Sequence, residues 1–146
     1  QLLVIEYARN VAGIKDAQTA EINPKAKNLI IDIMPDQKKI TKKGGTMRLG
    51  AYDCNLRPNS KAAKAYKSQN IVERHRHRYE FNNKYLEFYE KEGMIATGKN
   101  PKSGLVEIVE IPKHKWFTGV QFHPEYKSSV ETPHPLFIGF IKACMN

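Results

Sequence analysis

Cysteine is scarce in this sequence, and long apolar runs are absent. The 146 residues contain two cysteines, Cys54 and Cys144, which lie far apart in unrelated contexts. Without a CxxC pair or a closely spaced set of cysteines, neither a disulfide framework nor a zinc site is predicted, and a reducing, cytoplasmic setting is expected. No apolar run reaches the ~20 residues that span a bilayer, and no signal-peptide pattern is present. We therefore expect no membrane partner.

Internal repeats, low-complexity linkers and a P-loop are also missing. Gly44, Gly45 and Gly50 precede or interrupt a strand pattern, but no GK[ST] sequence follows, so a turn is a better interpretation than a phosphate cradle. The length suits one domain covering residues 1–146, and a hydrophobic content of 40% is enough for a core. The net charge of +9 would suit an anionic partner, although scattered lysines are most simply explained as a solvated surface.

The spacing of apolar residues predicts alternating helices and strands. Helical patterns cover 2–13, 59–67, 83–92 and the segment after Pro135, and strand patterns cover 28–34, 46–56, 70–81, 94–98, 105–111 and 117–122. Gly50 marks an irregularity within its strand. Gly93 ends a helix, and Asn59 or Ser60 caps another. This alternation predicts an α/β domain.

The segment QFHPE, residues 121–125, follows an apolar strand and places His123 where that strand ends. Ligand crevices in open α/β sheets lie beyond such strand ends. Histidine suits removing a proton from a nucleophile and returning it to a leaving amine. Glu125 can hydrogen-bond one ring nitrogen and direct the other towards the nucleophile, while Pro124 restricts the backbone between them. Taken alone, an H-x-E spacing is also common in ordinary loops.

The segment RHRHR, residues 74–78, has arginines at every second position. With the period of a strand, the three arginines and Glu80 share one face, and His75, His77 and Tyr79 share the other. Guanidinium groups bind carboxylates in a bidentate manner, which favours a pocket for a substrate carboxylate or phosphate. Metal binding by the H-x-H pair and a nucleic-acid strip are weaker alternatives, because no third ligand is evident and few aromatic residues intervene.

Five segments together resemble the glutamine amidotransferase domain of CTP synthases. They are GGTMRLG (44–50), IVERHRHRYEFNN (71–83), EIVEIPKHKWF (107–117), QFHPEY (121–126) and HPLFIGFIKA (134–143), and they follow the family's order over nearly the whole chain. Many amidotransferases carry an H-P-E segment, whereas RHRHRYE and GGTMRLG are similar to CTP synthases in particular. The resemblance implies a flavodoxin-like amidotransferase fold with a mostly parallel central sheet flanked by helices.

The resemblance also implies roles for individual residues. His123 and Glu125 match the base and the orienting acid of a Cys-His-Glu triad. Gln1 matches the last residue of the family's G-I-C-L-G-M-Q elbow, so the nucleophilic cysteine is expected just upstream of Gln1, and Gln1 itself is expected to bind glutamine. Glu21 matches the acid that receives the substrate's α-amino group, and Arg78 matches the arginine that holds its α-carboxylate. Neither Cys54 nor Cys144 lies in an elbow, so both are expected to be unreactive.

The implied activity is glutamine hydrolysis that supplies ammonia for the amination of UTP to CTP. The resemblance implies no metal and no cofactor in this domain. It places ATP and magnesium in an N-terminal synthetase domain of the same protein, with GTP as an activator. L-glutamine, that domain and a homotetrameric assembly are the expected partners, and nucleic acid is not. The alternatives are another triad amidotransferase, a γ-glutamyl hydrolase, or a non-catalytic basic binding module in which 123–125 form a plain turn.

Overall fold

The described part of the chain consists of short helices and strands that succeed one another. A computed structural model describes residues 1–33 and 47–145. The helices are α1 (Leu2–Asn10), α2 (Lys61–Tyr66), α3 (Leu86–Lys91) and α4 (Pro135–Met145), with 3-10 turns at Asn83–Tyr85 and Pro124–Lys127. The strands are β1 (Ala17–Thr19), β2 (Asn28–Ile33), β3 (Arg48–Leu56), β4 (Asn70–His77), β5 (Tyr79–Phe81), β6 (Ile95–Lys99), β7 (Val106–Glu110) and β8 (Thr118–Val120). The predicted glycine turn at Gly44 and Gly45 lies outside the described residues.

The strands form two sheets. Three strands associate in the order β1-β2-β5, and five associate in the order β4-β3-β6-β7-β8. The α/β class predicted from the sequence is confirmed, but the expected mostly parallel pairing is not found among the described strands. Only β1 and β2 pair in parallel, and the other five pairs are antiparallel. The links 100–105 and 111–117 are too short for a helical crossover, so they return the chain antiparallel to itself.

The strand predicted over 70–81 is divided between the two sheets. β4 pairs with β3, where His77 faces Arg48, whereas β5 pairs with β2, where Glu80 faces Asp32. Arg78 is the residue at the junction between them. Arg74 and Arg76 lie on one face of β4, as predicted, and both are exposed. The chain bends at Arg78, however, so the alternation of faces does not continue into β5. Glu80 is therefore buried and does not share the face of Arg74 and Arg76.

Apolar side chains form two clusters among the described residues. The first joins α1, α3 and the three-stranded sheet, and it includes Ile5, Ala8, Ile30, Phe81, Tyr89 and Met94. The second lies between the five-stranded sheet and the helices α2 and α4, and it includes Cys54, Leu56, Ala62, Ile108, Phe122 and Leu136. Tyr89 also donates a hydrogen bond to the carbonyl of Val4, which attaches α3 to α1.

Local sequence signals account for several boundaries. The side chain of Ser60 accepts a hydrogen bond from the backbone N–H of Ala63 at 3.0 Å, so Ser60 rather than Asn59 caps α2. Gly93 has a φ of 96° just after α3, and Gly50 has a φ of 99° within β3. Both angles lie in the region that favours glycine. Among the described residues, no helix has the length and apolar character needed to cross a membrane.

Candidate functional site

His123 and Glu125 lie together just beyond the end of β8. His123 precedes the 3-10 turn Pro124–Lys127 and has an extended backbone, with φ −108° and ψ 91°. Its Nδ1 lies 2.6 Å from Oε1 of Glu125. Because Glu125 engages Nδ1, the other ring nitrogen, Nε2, is the one directed to take up a proton. This is the arrangement that the H-x-E spacing predicted, although the catalytic role of the pair stays a prediction.

Neighbouring groups restrain the histidine ring. The ring of Tyr126 stacks on it with centroids 5.0 Å apart, and the backbone N–H of His123 donates to the carbonyl of Arg74 at 2.9 Å. Partial burial acts to raise the pKa of the Glu125 carboxyl, but hydrogen bonds from its own backbone and from His123 outweigh that effect and hold the pKa below its ordinary value. Glu125 is therefore ionised at neutral pH, as an orienting acid must be.

The carbonyl of Tyr79 joins three segments that the sequence predicted to be functional. Gln1 donates to it through Nε2 at 2.8 Å, and Gln121 donates to it through Nε2 at 3.2 Å. Tyr79 follows Arg78, and Gln121 lies two residues before His123. The structure therefore brings Gln1, the junction at Arg78 and the His123–Glu125 turn to one region of the surface.

Glu21 follows the first strand of the three-stranded sheet. β1 ends at Thr19, and the chain then turns, because the backbone N–H groups of Ile22 and Asn23 both donate to the carbonyl of Thr19. The backbone N–H of Glu21 donates to the hydroxyl of Thr19 at 3.2 Å. Glu21 is exposed, and its expected role in binding the substrate stays a prediction.

A buried ionic network lies beneath this surface. The guanidinium of Arg48 contacts Oε2 of Glu80 at 3.2 Å and Oε1 of Glu107 at 2.8 Å. Nδ1 of His75 lies 2.8 Å from Nε2 of His77 and 3.7 Å from Oε2 of Glu107. All five side chains are almost fully buried.

Burial shifts the pKa values of this network in opposite directions. Burial, together with the nearby charge of Arg48, lowers the pKa of His75 to about 3 and that of His77 to about 4. Burial raises the pKa of the Glu80 carboxyl to about 7, against the attraction of Arg48. Both imidazoles are therefore neutral at pH 7, and Arg48 is the cation that two carboxylates share.

The sequence interpretation missed Arg48 and Glu107. Arg48 faces the interior while its neighbour Leu49 is 57% exposed, which inverts the apolar pattern of β3. Glu107 lies in β7, where every residue is buried. The sequence did contain a signal for Glu107, which is a charged residue inside a short apolar strand. Such a charge needs a buried partner of opposite charge.

Glu107 lies where it could act as a third metal ligand beside His75 and His77, which the sequence interpretation had not identified. Ligand atoms of His75, His77 and Glu107 all lie within 4.8 Å of one another. In the structure, however, Glu107 is bound by the guanidinium of Arg48 and the two imidazoles contact each other. This geometry fits a hydrogen-bonded charge network better than a cation site. The expectation that this domain binds no metal stays a prediction.

The two cysteines lie away from any elbow. Cys54 is fully buried in β3, and burial raises the pKa of its thiol to about 12, so it stays protonated at neutral pH. Cys144 is exposed on α4. A cavity of about 50 Å³ lies beside Gln1, Gln121 and Glu107.

Comparisons with known proteins agree on one family. The model of the glutamine amidotransferase class-I family matches residues 1–143. The CTP synthase of Cytophaga hutchinsonii is 61% identical over 143 residues, which are 98% of this chain and 26% of that protein. The CTP synthase of Bacteroides fragilis is 58% identical over 146 residues, which are 100% of this chain and 27% of that protein. The chain thus spans about a quarter of the length of these curated relatives.

A solved structure is similar as well. The glutaminase domain of Trypanosoma brucei CTPS with bound acivicin superposes with a TM-score of 0.89 at 39% identity, and the match covers 98% of this chain and 56% of that chain. At this level of identity the likeness extends beyond fold alone. It confirms the amidotransferase fold expected from the sequence.

Proposed function

The chain belongs to the class-I glutamine amidotransferase family, with CTP synthases among its relatives, and on this premise we propose that it hydrolyses the side-chain amide of glutamine. The observation that carries the proposal is the 2.6 Å contact between Nδ1 of His123 and Oε1 of Glu125. This contact leaves Nε2 available as a base, and it places a carboxylate where an imidazolium would form. The alternative activities, those of another triad amidotransferase or a γ-glutamyl hydrolase, would use the same pair of His123 and Glu125.

In the proposed reaction, Nε2 of His123 removes the proton from a cysteine thiol in an elbow that ends at Gln1. The thiolate attacks the amide carbon of glutamine, and backbone N–H groups of the elbow stabilise the oxyanion. His123 then gives its proton to the departing ammonia as the C–N bond breaks. Water, activated by the same imidazole, hydrolyses the γ-glutamyl thioester and releases glutamate.

We assign substrate recognition to Gln1, Glu21 and Arg78. Arg78 would pair with the α-carboxylate and Glu21 with the α-ammonium group, since these are the two charges that distinguish glutamine from a simple amide. The shared contact of Gln1 and Gln121 with the carbonyl of Tyr79 supports this assignment, because it holds the Arg78 junction beside the His123 turn.

We extend the proposal to a wider reaction on the basis of the similarity to CTP synthases. The released ammonia would pass to a synthetase domain of the same protein and aminate UTP at the expense of ATP with magnesium. GTP would activate the hydrolysis, and the protein would work as a cytoplasmic homotetramer. We assign no residue of this chain to a nucleotide site.

The test uses a protein that contains the elbow cysteine together with these 146 residues. His123→Ala should abolish glutamine-dependent product formation while leaving formation from added ammonia unchanged. Arg78→Ala should raise the KM for glutamine, and Arg76→Ala, an exposed arginine on the adjacent strand, serves as its control. Full glutamine-dependent activity in His123→Ala would contradict the role of His123. A wild type without this activity, together with salt-sensitive polyanion binding that His123→Ala leaves unchanged, would instead favour a non-catalytic binding module.

A further inference from the structure

The turn that carries Glu125 is too short to hold itself in place. It consists of four residues, Pro124–Lys127, in a 3-10 conformation, and such turns have weak internal hydrogen bonding. The side chains of His123 and Glu125 are 37% and 55% exposed, and the ring that stacks on His123 belongs to Tyr126 of the same turn, so packing against the rest of the protein restrains the pair little. Contacts with the rest of the protein must therefore set the position of the pair.

Both ends of this turn are bound to β4. At its start, the backbone N–H of His123 donates to the carbonyl of Arg74 at 2.9 Å. At its end, Nζ of Lys127 donates to the carbonyl of Val72 at 2.6 Å. β4 is an edge strand of the five-stranded sheet, so carbonyls along its outer edge are available to such partners. The first bond involves backbone alone, whereas the second depends on the identity of one side chain.

A buried carboxylate between these two carbonyls fixes the ammonium group. Glu73 has a side chain only 1% exposed, and its Oε1 lies 3.6 Å from Nζ of Lys127. The same oxygen accepts a hydrogen bond from the hydroxyl of Tyr66 at 2.9 Å and lies 3.2 Å from Nε2 of His134. Because α2 and the start of α4 hold Glu73 rigidly, the carboxylate presents a fixed charge to Lys127.

From this geometry we propose that Lys127 is a positioning residue, which ties the His123–Glu125 turn to β4 through the Val72 carbonyl and the Glu73 carboxylate. The inference rests on the proposed function, since it concerns the same base. Lys127 touches no reacting atom, and its side chain is 45% exposed. Its contribution therefore comes from alignment of Nε2 with the nucleophile and not from the strength of a surface ion pair.

The experiment compares Lys127→Met, Lys127→Arg and Lys113→Met in the protein that contains the elbow cysteine. Misplacing a catalytic group by an ångström costs up to ~100-fold, so a partly released turn should lower kcat for glutamine about tenfold in Lys127→Met, with little change in KM. Lys127→Arg keeps a cationic donor and should restore most of kcat. Lys113→Met removes an exposed lysine in the 111–117 link and should match the wild type.

A double-mutant cycle distinguishes positioning from general support of the fold. In a Glu125→Gln background the orienting carboxylate is already lost, so adding Lys127→Met should lower kcat less than about threefold. An unchanged kcat in Lys127→Met, or an undiminished tenfold effect in the Glu125→Gln background, would overturn the inference. If the wild type shows no glutamine-dependent activity, the proposed function itself is wrong, and if His123→Ala keeps that activity, the proposed catalytic role of His123 is wrong. An inactive His123→Ala with a normal Lys127→Met refutes the positioning role alone.

Discussion

Replacing Glu80 with glutamine should stabilise the protein at alkaline pH. Arg48 contacts both Glu80 and Glu107, and the neutral imidazoles of His75 and His77 bring no second positive charge at pH 7. One guanidinium thus faces two carboxylates in a region closed to water. Ionising both is unfavourable.

The magnitude follows from the pKa of Glu80. Burial raises it from 4.5 to about 7, and each tenfold change in acidity corresponds to about 1.4 kcal/mol. Between these two values the carboxyl is protonated in the folded state and ionised in the unfolded state. The contribution of the neutral Glu80 carboxyl to the free energy of unfolding is therefore fully present below pH 4.5. It is lost as the pH rises, and the loss is complete above about pH 7. It amounts to on the order of 3 kcal/mol, and the side chain is too buried for solvent screening to reduce it.

The assay is urea unfolding at pH 5 and pH 8, followed by the fluorescence of Trp116, the single tryptophan of the chain. Between the two pH values the free energy of unfolding of the wild type should fall by about 2–3 kcal/mol more than that of Glu80→Gln, because glutamine imitates the protonated carboxyl at both. Glu131→Gln, at an exposed loop position, should follow the wild type. Parallel pH curves for wild type and Glu80→Gln, or a less stable variant at pH 8, would refute the reasoning.

Three further outcomes are expected. Glu125→Gln removes the charged partner of His123, and kcat for glutamine should fall at least about tenfold in a glutaminase assay, with an unchanged value contradicting the triad. Iodoacetamide should label exposed Cys144 in the folded protein and spare buried Cys54 until the chain unfolds, as mass spectrometry would show. Gly98→Ala should lower the unfolding free energy by about 1–3 kcal/mol in urea titrations, because the new Cβ would lie 2.6 Å from Cγ1 of Ile108; full stability would contradict this packing.

Local sequence patterns were sufficient to predict a feature wherever the contacts that determine it join residues close together in the chain. The apolar spacing of α1 and the strand run of β2 appear in the structure close to their predicted bounds. The cap at Ser60 was likewise readable. The His123–Glu125 pair belongs to this class as well, because two residues at H-x-E spacing on an extended backbone can meet without help from the rest of the chain. Family resemblance added the roles of these residues, which spacing alone does not assign.

Long-range pairing is what the sequence left open. A period-two pattern places His75 and His77 on one face, but it does not say which strand lies opposite. Only the tertiary structure sets Arg48 and Glu107 against them. The break at Arg78 has the same origin, since the chain bends there to leave one sheet and join the other.

The sequence by itself determined the α/β class, most elements, and the contact between His123 and Glu125, because each depends on neighbours along the chain. The tertiary structure decided the antiparallel order of the five-stranded sheet, the buried charge network and the contact of Lys127 with β4. Each of these joins residues far apart in sequence, such as Lys127 with Val72. Such contacts depend on which strands lie at an edge and which charges become buried together, and these are properties of the assembled fold.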